Sequence, residues 1–210
     1  MTTDQSPEHQ QKHCLVPYLD DTTASPSVAK ALSALPYRRN IFMLMGHSAG
    51  LFPPVMGVYS AVFNNATRQI PILDWQLIVL RIAGRLDAEY EWDVNSPLAR
   101  QRGMPASKLA AMSDPPEEVQ HNRNGVWTDR DRAILRLVDE QLASYTNSEE
   151  TVHELRRFVS VEELLEIYII LGMYALIARI TKGLRIDLDG EIPGLEEAMK
   201  SIVPEGGSDC

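Results

Sequence analysis

The side chains with the clearest capacity for chemistry lie in the stretch 84–104, which directly follows the strongly apolar run Leu77 to Leu80. A carboxyl group surrounded by apolar side chains loses hydration, and this disfavours its charged form. It must therefore bind a donor or become a weak acid that titrates near neutral pH, where it can transfer protons in catalysis. The ionisable and aromatic side chains at the centre of the stretch are Glu89, Tyr90, Glu91, Trp92 and Asp93.

Helical periodicity selects one of these acids. At about 100° per residue, one face of a helix here carries Ala88, Glu91, Trp92, Asn95 and Ala99. If this face points inward, Glu91 is a buried carboxyl group. The alternative is a solvated helix end whose acidic first turn complements the helix dipole.

Three further side chains are candidates because apolar sequence surrounds them. His47 follows a helical run and either faces a pocket or is a core histidine bonded to backbone. Arg81 and Arg179 are each embedded in apolar helix, where a guanidinium needs an acceptor. Each either pairs with an internal carboxylate or binds an anionic ligand.

The composition excludes several classes of protein. The chain has 210 residues, 44% of them hydrophobic, and a formal charge of -9 without a basic stripe, so we expect a soluble protein that binds neither nucleic acid nor a membrane. Its two cysteines, Cys14 and Cys210, exclude a disulfide framework, and no histidine pair in the body has metal-ligand spacing. No leader segment is recognised, so we expect a reducing cytosol.

The elements that must position these side chains are all helical. Ser25 and the capping boxes Thr128-x-x-Asp131 and Ser160-x-x-Glu163 mark helix starts. Asp74 is predicted to cap a helix from Trp75 to about Gly84. Pro97 is expected to bend or break the helix that carries Glu91.

The helix that starts after Ser160 is predicted to be the central core helix and to end at Gly183. Its uncharged part, 167–178, is too short to span a bilayer. Residues 113–127 are predicted to be a loop, and 186–188 a docked, strand-like segment. We expect an arm over residues 1–24, one domain of eight or nine helices over 25–190, and a tail over 191–210.

These residues carry a resemblance to a known family. The order of Asn40-Ile41-Phe42, His47-Ser48, Leu80-Arg81-Ile82-Ala83, Glu89-Tyr90-Glu91-Trp92 and the long helix 164–184 resembles the carboxymuconolactone decarboxylase family. That family belongs to the alkylhydroperoxidase-D-like (AhpD-like) superfamily. The resemblance covers about residues 38–189, and it implies an all-helical bundle that forms homo-oligomers, as a dimer, trimer or hexamer, with sites near subunit contacts.

The family's reactive groups are replaced in this chain. In the peroxidase branch, a Glu, a CxxC pair and a His form the site, and the matching residues here are Gln76, Ala88, Glu91 and Asn95. Thiol peroxidase chemistry needs a thiolate at such a position, so a peroxidase is disfavoured. The decarboxylase branch keeps EYEWxxH, and here that His is also Asn95, which cannot exchange a proton.

What remains is a pocket with Glu91 as the best acid or base, assisted by His47, Tyr90 and Asn95. Trp92, Arg81, Gln76, Glu89 and Arg179 are expected to contact the substrate. We expect a lyase or isomerase without metal or cofactor that acts on a small cyclic carbonyl compound, in secondary metabolism. The competing hypothesis is a non-catalytic oligomer that serves as a binding or scaffold protein.

Overall fold

The computed structural model describes residues 14–35 and 38–190, and this part of the chain is all-helical, without a strand. The predictions for residues 1–13 of the arm and for the tail 191–210 lie outside the described residues. The helices are α1 Pro26–Ser33, α2 Asn40–Met45, α3 Phe52–Phe63, α4 Ile72–Leu86, α5 Glu89–Gln101, α6 Ala106–Ala110, α7 Pro116–His121, α8 Asp129–Ser144, α9 Glu149–Leu155 and α10 Val161–Leu184.

Several helices begin where their capping residues predict. Ser25 caps α1 through its side chain. Both capping boxes form, with Thr128 and Asp131 at the start of α8 and Ser160 and Glu163 at the start of α10. These bonds satisfy backbone N–H groups that the first helical turn leaves without partners, so the starts of the two longest helices are fixed locally.

The centre of the core is α4. Its residues 74–83 are all buried, and it packs against α5, α8 and α10. A continuous apolar run suits a helix that is surrounded on all sides. Gly84, near the end of α4, allows residues 112 and 113 to pack closely against this helix. A Cβ at this position would lie 2.8 Å from Ser113 Oγ and 3.0 Å from the carbonyl oxygen of Met112.

The sequence predicted a bend or a break at Pro97 in α5, the helix that carries Glu91. The helix continues through Pro97, so a break does not occur. Proline removes only the N–H group that would bond to the carbonyl of Asp93. Both residues are exposed, and water can therefore hydrate that carbonyl. Gly103 follows the helix with a φ of 87°, as expected for the glycine that ends it.

Three other predicted boundaries are wrong. Asp74 does not cap α4 but lies in its first turn, after Pro71 as the N-cap. The predicted loop 113–127 contains α7, because Pro116 at the first helical position starts a helix rather than preventing one. Gly183 lies inside α10, whose C-cap is Arg185 with a φ of 54°.

By length and apolar composition, the 24-residue helix α10 would be able to cross a membrane. The sequence-based prediction considered only its uncharged part and was therefore too strict. Half of its most apolar window is buried inside the protein, and a core helix of a soluble protein meets the same criteria. We therefore describe α10 as a core helix, in line with the soluble protein that the composition predicts.

The two ends of the described chain pack against each other. The hydroxyl of Tyr18 donates to Asp187 Oδ2 at 3.0 Å, and the backbone N–H of Leu15 donates to the carbonyl of Leu184 at 2.8 Å. The segment 186–190 thus docks as predicted, but through side-chain carboxylates and without forming a strand.

Candidate functional site

A cavity of about 350 Å³ opens between α2, α3, α5 and α10. This volume lies in the range of small-molecule sites. Most of its wall is apolar, and its polar lining residues come mainly from α3, α5 and the turn before α2. Its lining residues include Arg39, Tyr59, Trp75, Tyr90, Glu91 and Asn95.

Glu91 is the buried acid that the sequence predicted. It is 2% exposed, and the predicted inward face of α5 is buried at Ala88, Asn95 and Ala99, with Trp92 half-buried. Burial raises the pKa of Glu91 from 4.5 to about 7, while bonds from its own backbone N–H and from Thr181, and the charge of Lys182, oppose the rise.

The carboxyl group of Glu91 has one side-chain hydrogen-bond partner within the described residues. Thr181 Oγ1, on α10, lies 2.9 Å from Glu91 Oε1 and 3.2 Å from Oε2. The same hydroxyl lies 3.3 Å from the carbonyl oxygen of Ala178. A hydroxyl has one proton to donate, so at any moment Thr181 donates either to the Glu91 carboxylate or to the carbonyl oxygen of Ala178.

Asn95 lies one turn after Glu91 and is also buried. Its Nδ2 donates to the carbonyl oxygen of Glu91 at 2.8 Å. This bond fixes the amide beside the carboxyl group and uses one of its two N–H hydrogens. The remaining hydrogen is therefore available to a ligand oxygen in the cavity.

Tyr90 lies in the cavity wall, but its hydroxyl is already engaged. It donates to Asp189 Oδ2 at 2.8 Å, and Arg39 Nη1 donates to the same oxygen at 2.7 Å. Burial, with the nearby Asp189 carboxylate as a second cause, raises the pKa of Tyr90. Tyr90 and Arg39 thus attach the segment 186–190 to the edge of the cavity.

The two arginines predicted to bind the substrate do not line this cavity. Arg81 is fully buried and forms a two-pronged ion pair with Asp139, at 2.9 and 2.8 Å. Its Nη1 donates to the carbonyls of Met112 and Asp114, so its donors are used within the protein. Arg179 is exposed, bonds Tyr145 and lines a separate cavity of about 310 Å³.

The other predicted residues are also separated from the cavity. His47 is exposed, and its Nε2 lies 2.9 Å from the carbonyl oxygen of Pro17, because α2 ends before it and the chain turns to the surface. Glu89 is exposed on the first turn of α5. Trp92 packs against Ala83, Ala88 and the nearby part of α10, without lining the cavity.

Gln76 is fully buried in α4, and within the described residues its amide nitrogen and oxygen have no hydrogen-bond partner. The indole N–H of its neighbour Trp75, which lines the cavity, is in the same condition. An unsatisfied buried polar group costs about 1–3 kcal/mol. The free protein therefore carries a cost here that an apolar side chain would remove.

Sequence reasoning missed Thr181 and Arg39. Thr181 continues the buried series Tyr174, Ile177 and Ala178 along α10, and a polar residue on an otherwise apolar stripe is the signal that would have singled it out. Arg39 gave no such signal, because its partner Asp189 is 150 residues away. Among the described residues, no group of three or more His, Cys, Asp or Glu side chains is placed to hold a metal ion.

The sequence matches no protein-family model and no curated protein. Solved structures are similar to the fold. One is a protein of unknown function from Agrobacterium tumefaciens that is named after the antioxidant defence protein AhpD. It has a TM-score of 0.60 at 23% identity, over 74% of this chain and 99% of its own. A peroxidase-related protein with an AhpD core from Ralstonia eutropha has a TM-score of 0.67 at 14% identity, over 84% and 92%.

A third similar structure is an enzyme. A cysteine-to-alanine variant of the debrominase Bmp8, in complex with 2,3,4-tribromopyrrole, has a TM-score of 0.66 at 19% identity, over 91% of this chain and 99% of its own. At these identities the comparisons show the fold. The chain has the AhpD-like helical fold, so the fold that the resemblance implied is confirmed.

Proposed function

We propose that this protein is a cofactor-independent lyase or isomerase that acts on a small cyclic carbonyl compound through an enolate. One observation carries the proposal: Glu91 is a buried carboxyl group at a cavity wall that forms no ion pair within the described residues. The buried aspartates of the described chain all have cationic partners. Their pairs are Asp74 with Arg130, Asp131 with Lys108 and Asp139 with Arg81.

The arrangement suits proton transfer to or from carbon. With a pKa of about 7, Glu91 is an acid and a base in comparable amounts near neutral pH, which is the best condition for general acid–base catalysis. In an isomerisation, the carboxylate removes a proton next to the carbonyl and returns it at another carbon. In a decarboxylation, carbon dioxide leaves its bonding electrons on the enolate, and protonated Glu91 supplies the proton.

Asn95 is proposed to stabilise the enolate oxygen with its remaining amide hydrogen. Such a donor, fixed before the reaction, stabilises charge as it develops in the transition state. The bond from Asn95 Nδ2 to the carbonyl of Glu91 provides this fixation. Tyr90 is proposed to shape the wall and hold the segment 186–190, because its proton is donated to Asp189.

The comparisons support a catalytic function and a small ring compound as the substrate. The debrominase with this fold binds 2,3,4-tribromopyrrole, a small cyclic molecule. A thiol mechanism is disfavoured here, because Ala88 and Glu91 replace the cysteines of the peroxidase pattern. This leaves the carboxyl group as the reactive side chain.

The test is turnover without added cofactor. The protein is incubated with β-keto acids and enolisable lactones, and carbon dioxide and mass-neutral products are measured. Loss of a general acid or base typically costs about 10²–10⁴-fold, so Glu91→Gln should lower turnover by that factor. Glu89→Gln, an exposed glutamate on the same helix, is the matched control and should retain the parent rate. A Glu91→Gln protein that is folded and fully active would overturn the assignment.

The competing proposal, a non-catalytic binding protein, gives a different result in the same experiment. Ring compounds would then bind and remain unchanged, and Glu91→Gln would alter only their affinity. The unsatisfied Gln76 amide is the observation that favours binding, since a ligand or partner that reached it would gain a hydrogen bond.

We also propose that the protein is a homo-oligomer that assembles through α10. Four branched apolar side chains share one exposed face of this helix. They are Val161, Leu165, Ile169 and Leu176, and they are between 40% and 59% exposed. Contiguous apolar patches of this kind commonly mark interfaces. A second α10 that packs antiparallel would bring the acidic first turn of one helix near the basic last turn of the other.

Leu165→Glu together with Ile169→Glu should convert the oligomer to a monomer in light scattering. A parent protein that stays monomeric at about 100 µM, roughly 100-fold above a micromolar dissociation constant, would refute this assembly.

A further inference from the structure

One hydroxyl group of α10, that of Thr181, is the side-chain hydrogen-bond partner of the Glu91 carboxyl group of α5 within the described residues. Thr181 Oγ1 lies 2.9 Å from one oxygen of the Glu91 carboxyl group and 3.2 Å from the other. Thr181 is 3% exposed, so water does not compete for this bond. We propose that Thr181 is a positioning residue that holds Glu91 in both of its protonation states, an inference that rests on the proposed role of Glu91 in proton transfer.

The geometry provides two hydrogen-bond arrangements. When Glu91 is a carboxylate, Thr181 donates its proton to the carboxylate. When Glu91 is protonated, the acid donates to Thr181 Oγ1, and the hydroxyl proton turns to the carbonyl oxygen of Ala178, 3.3 Å away. A hydroxyl can donate and accept, and a bond to the carbonyl three residues earlier is a normal position for a helical threonine. In each state the Thr181 hydroxyl and one oxygen of the Glu91 carboxyl group share a hydrogen bond.

This arrangement keeps Glu91 in place during a reaction cycle. The proton given to a substrate carbon comes from the Glu91 carboxyl group alone, and the carboxylate later regains one proton from the substrate or from water. Thr181 only rotates its O–H bond, so it neither gains nor loses a proton. A lysine at this position would fix the carboxylate as an ion pair, and a valine would leave it without a side-chain donor.

Other ionisable groups near Glu91 do not replace this bond. Lys182 of α10 favours the carboxylate through its charge, and Tyr59 of α3 has its pKa raised by burial and, second, by the Glu91 charge. The charged side chains of α4, which are Asp74, Arg81 and Arg85, form ion pairs with α8, and α2 carries no charged residue.

The experiment measures the titration of Glu91 directly. Protein labelled with ¹³C at the glutamate carboxyl carbons is titrated by NMR from pH 5 to 9, and the Glu91 signal is the one missing from Glu91→Gln. Thr181→Val removes the donor at nearly constant volume. Because the bond to a charged carboxylate is about twice as strong as the bond to the neutral acid, the midpoint should rise by about one pH unit.

Two variants make the result specific to the hydroxyl. Thr181→Ser keeps it and should titrate as the parent does. Thr151→Val is the matched control, because Thr151 is also buried and donates to a glutamate, Glu140 Oε1, at 2.6 Å. It should leave the Glu91 midpoint unchanged. Thr181→Ala, which also removes the hydroxyl, serves if the valine variant does not fold.

An unchanged Glu91 midpoint in a folded Thr181→Val or Thr181→Ala protein would overturn the inference. With an active substrate, the pH–rate profile of Thr181→Val should move by the same amount as the midpoint. A shifted midpoint in a protein that converts none of the tested compounds would support the positioning role of Thr181 and count against the lyase or isomerase assignment. The NMR titration thus separates the two proposals.

Discussion

Glu91→Gln should make the protein more stable at alkaline pH, although it removes the proposed catalytic group. The pKa of Glu91 is about 7 in the folded protein against 4.5 for an ordinary glutamate. A raised folded pKa means that stability is fully present below the unfolded value and is lost as pH rises through the folded value. The window of loss therefore runs from about pH 4.5 to above pH 7.

The size of the effect follows from the shift. Each pKa unit corresponds to about 1.36 kcal/mol, so the buried carboxylate costs on the order of 3 kcal/mol at pH 8.5 and below about 1 kcal/mol at pH 5. Glutamine has the same shape and stays neutral at both pH values. The variant should gain about 2–3 kcal/mol relative to the parent between these pH values, which is about 5–12 °C in Tm for a chain of this size.

The assay is thermal unfolding of parent and variant at pH 5 and pH 8.5, followed by circular dichroism. Glu89→Gln is the control, since Glu89 is exposed on the same helix and its loss should change the unfolding temperature little at either pH. If Glu91→Gln shifted the Tm equally at both pH values, the effect would not come from ionisation. The buried-acid reasoning would then be refuted.

Three further predictions concern residues around the site. Arg81→Leu should destabilise the fold by about 3–5 kcal/mol in urea unfolding, because it leaves the buried Asp139 with only the more distant Arg85, at 3.7 Å. The exposed Arg179→Ala should cost about 1 kcal/mol or less, and equal effects would contradict this. Gln76→Leu should stabilise the free protein by about 1–3 kcal/mol in the same assay, since its amide is unsatisfied, and a destabilised variant would imply a hidden partner. His47→Ala should leave any turnover unchanged, because the ring faces Pro17 and solvent, and a loss of more than about tenfold would return His47 to the site.

The sequence was sufficient for the elements whose causes are local. The capping boxes at Thr128 and Ser160 need only residues three positions apart, and both form as predicted. The inward face of α5 was also predictable, because helical spacing alone places Glu91 and Asn95 together. Pro116 is also a local signal, because proline is favoured at the first position of a helix. The sequence was interpreted instead with proline as a helix breaker, and α7 was therefore missed.

The failures concern facts that only tertiary structure supplies. The residues around Arg179 are apolar on every side of α10, so the sequence did not show which side of the helix faces solvent. In the structure the side of Arg179 is exposed. Arg81 is satisfied by Asp139, 58 residues away, and no local pattern announces that pair. Thr181 reaches Glu91 across 90 residues, so the carboxyl group was visible in the sequence and its partner was not.

The contrast between Glu91 and the other buried acids favours a catalytic function over a retained but inactive pocket. Asp139 is stabilised by an ion pair with Arg81 that makes its charge tolerable. Within the described residues, Glu91 has a neutral hydroxyl as its side-chain partner and forms no ion pair. Replacing the carboxyl group with an amide would remove a cost on the order of 3 kcal/mol at alkaline pH. A protein that only binds a neutral ring compound gains nothing from that cost, because an amide offers both a donor and an acceptor. A protein that moves protons needs a group that is charged and neutral in turn, and the hydroxyl of Thr181 can bind both forms. If Glu91→Gln binds ring compounds as tightly as the parent and converts none of those that the parent converts, the carboxyl group is present for chemistry.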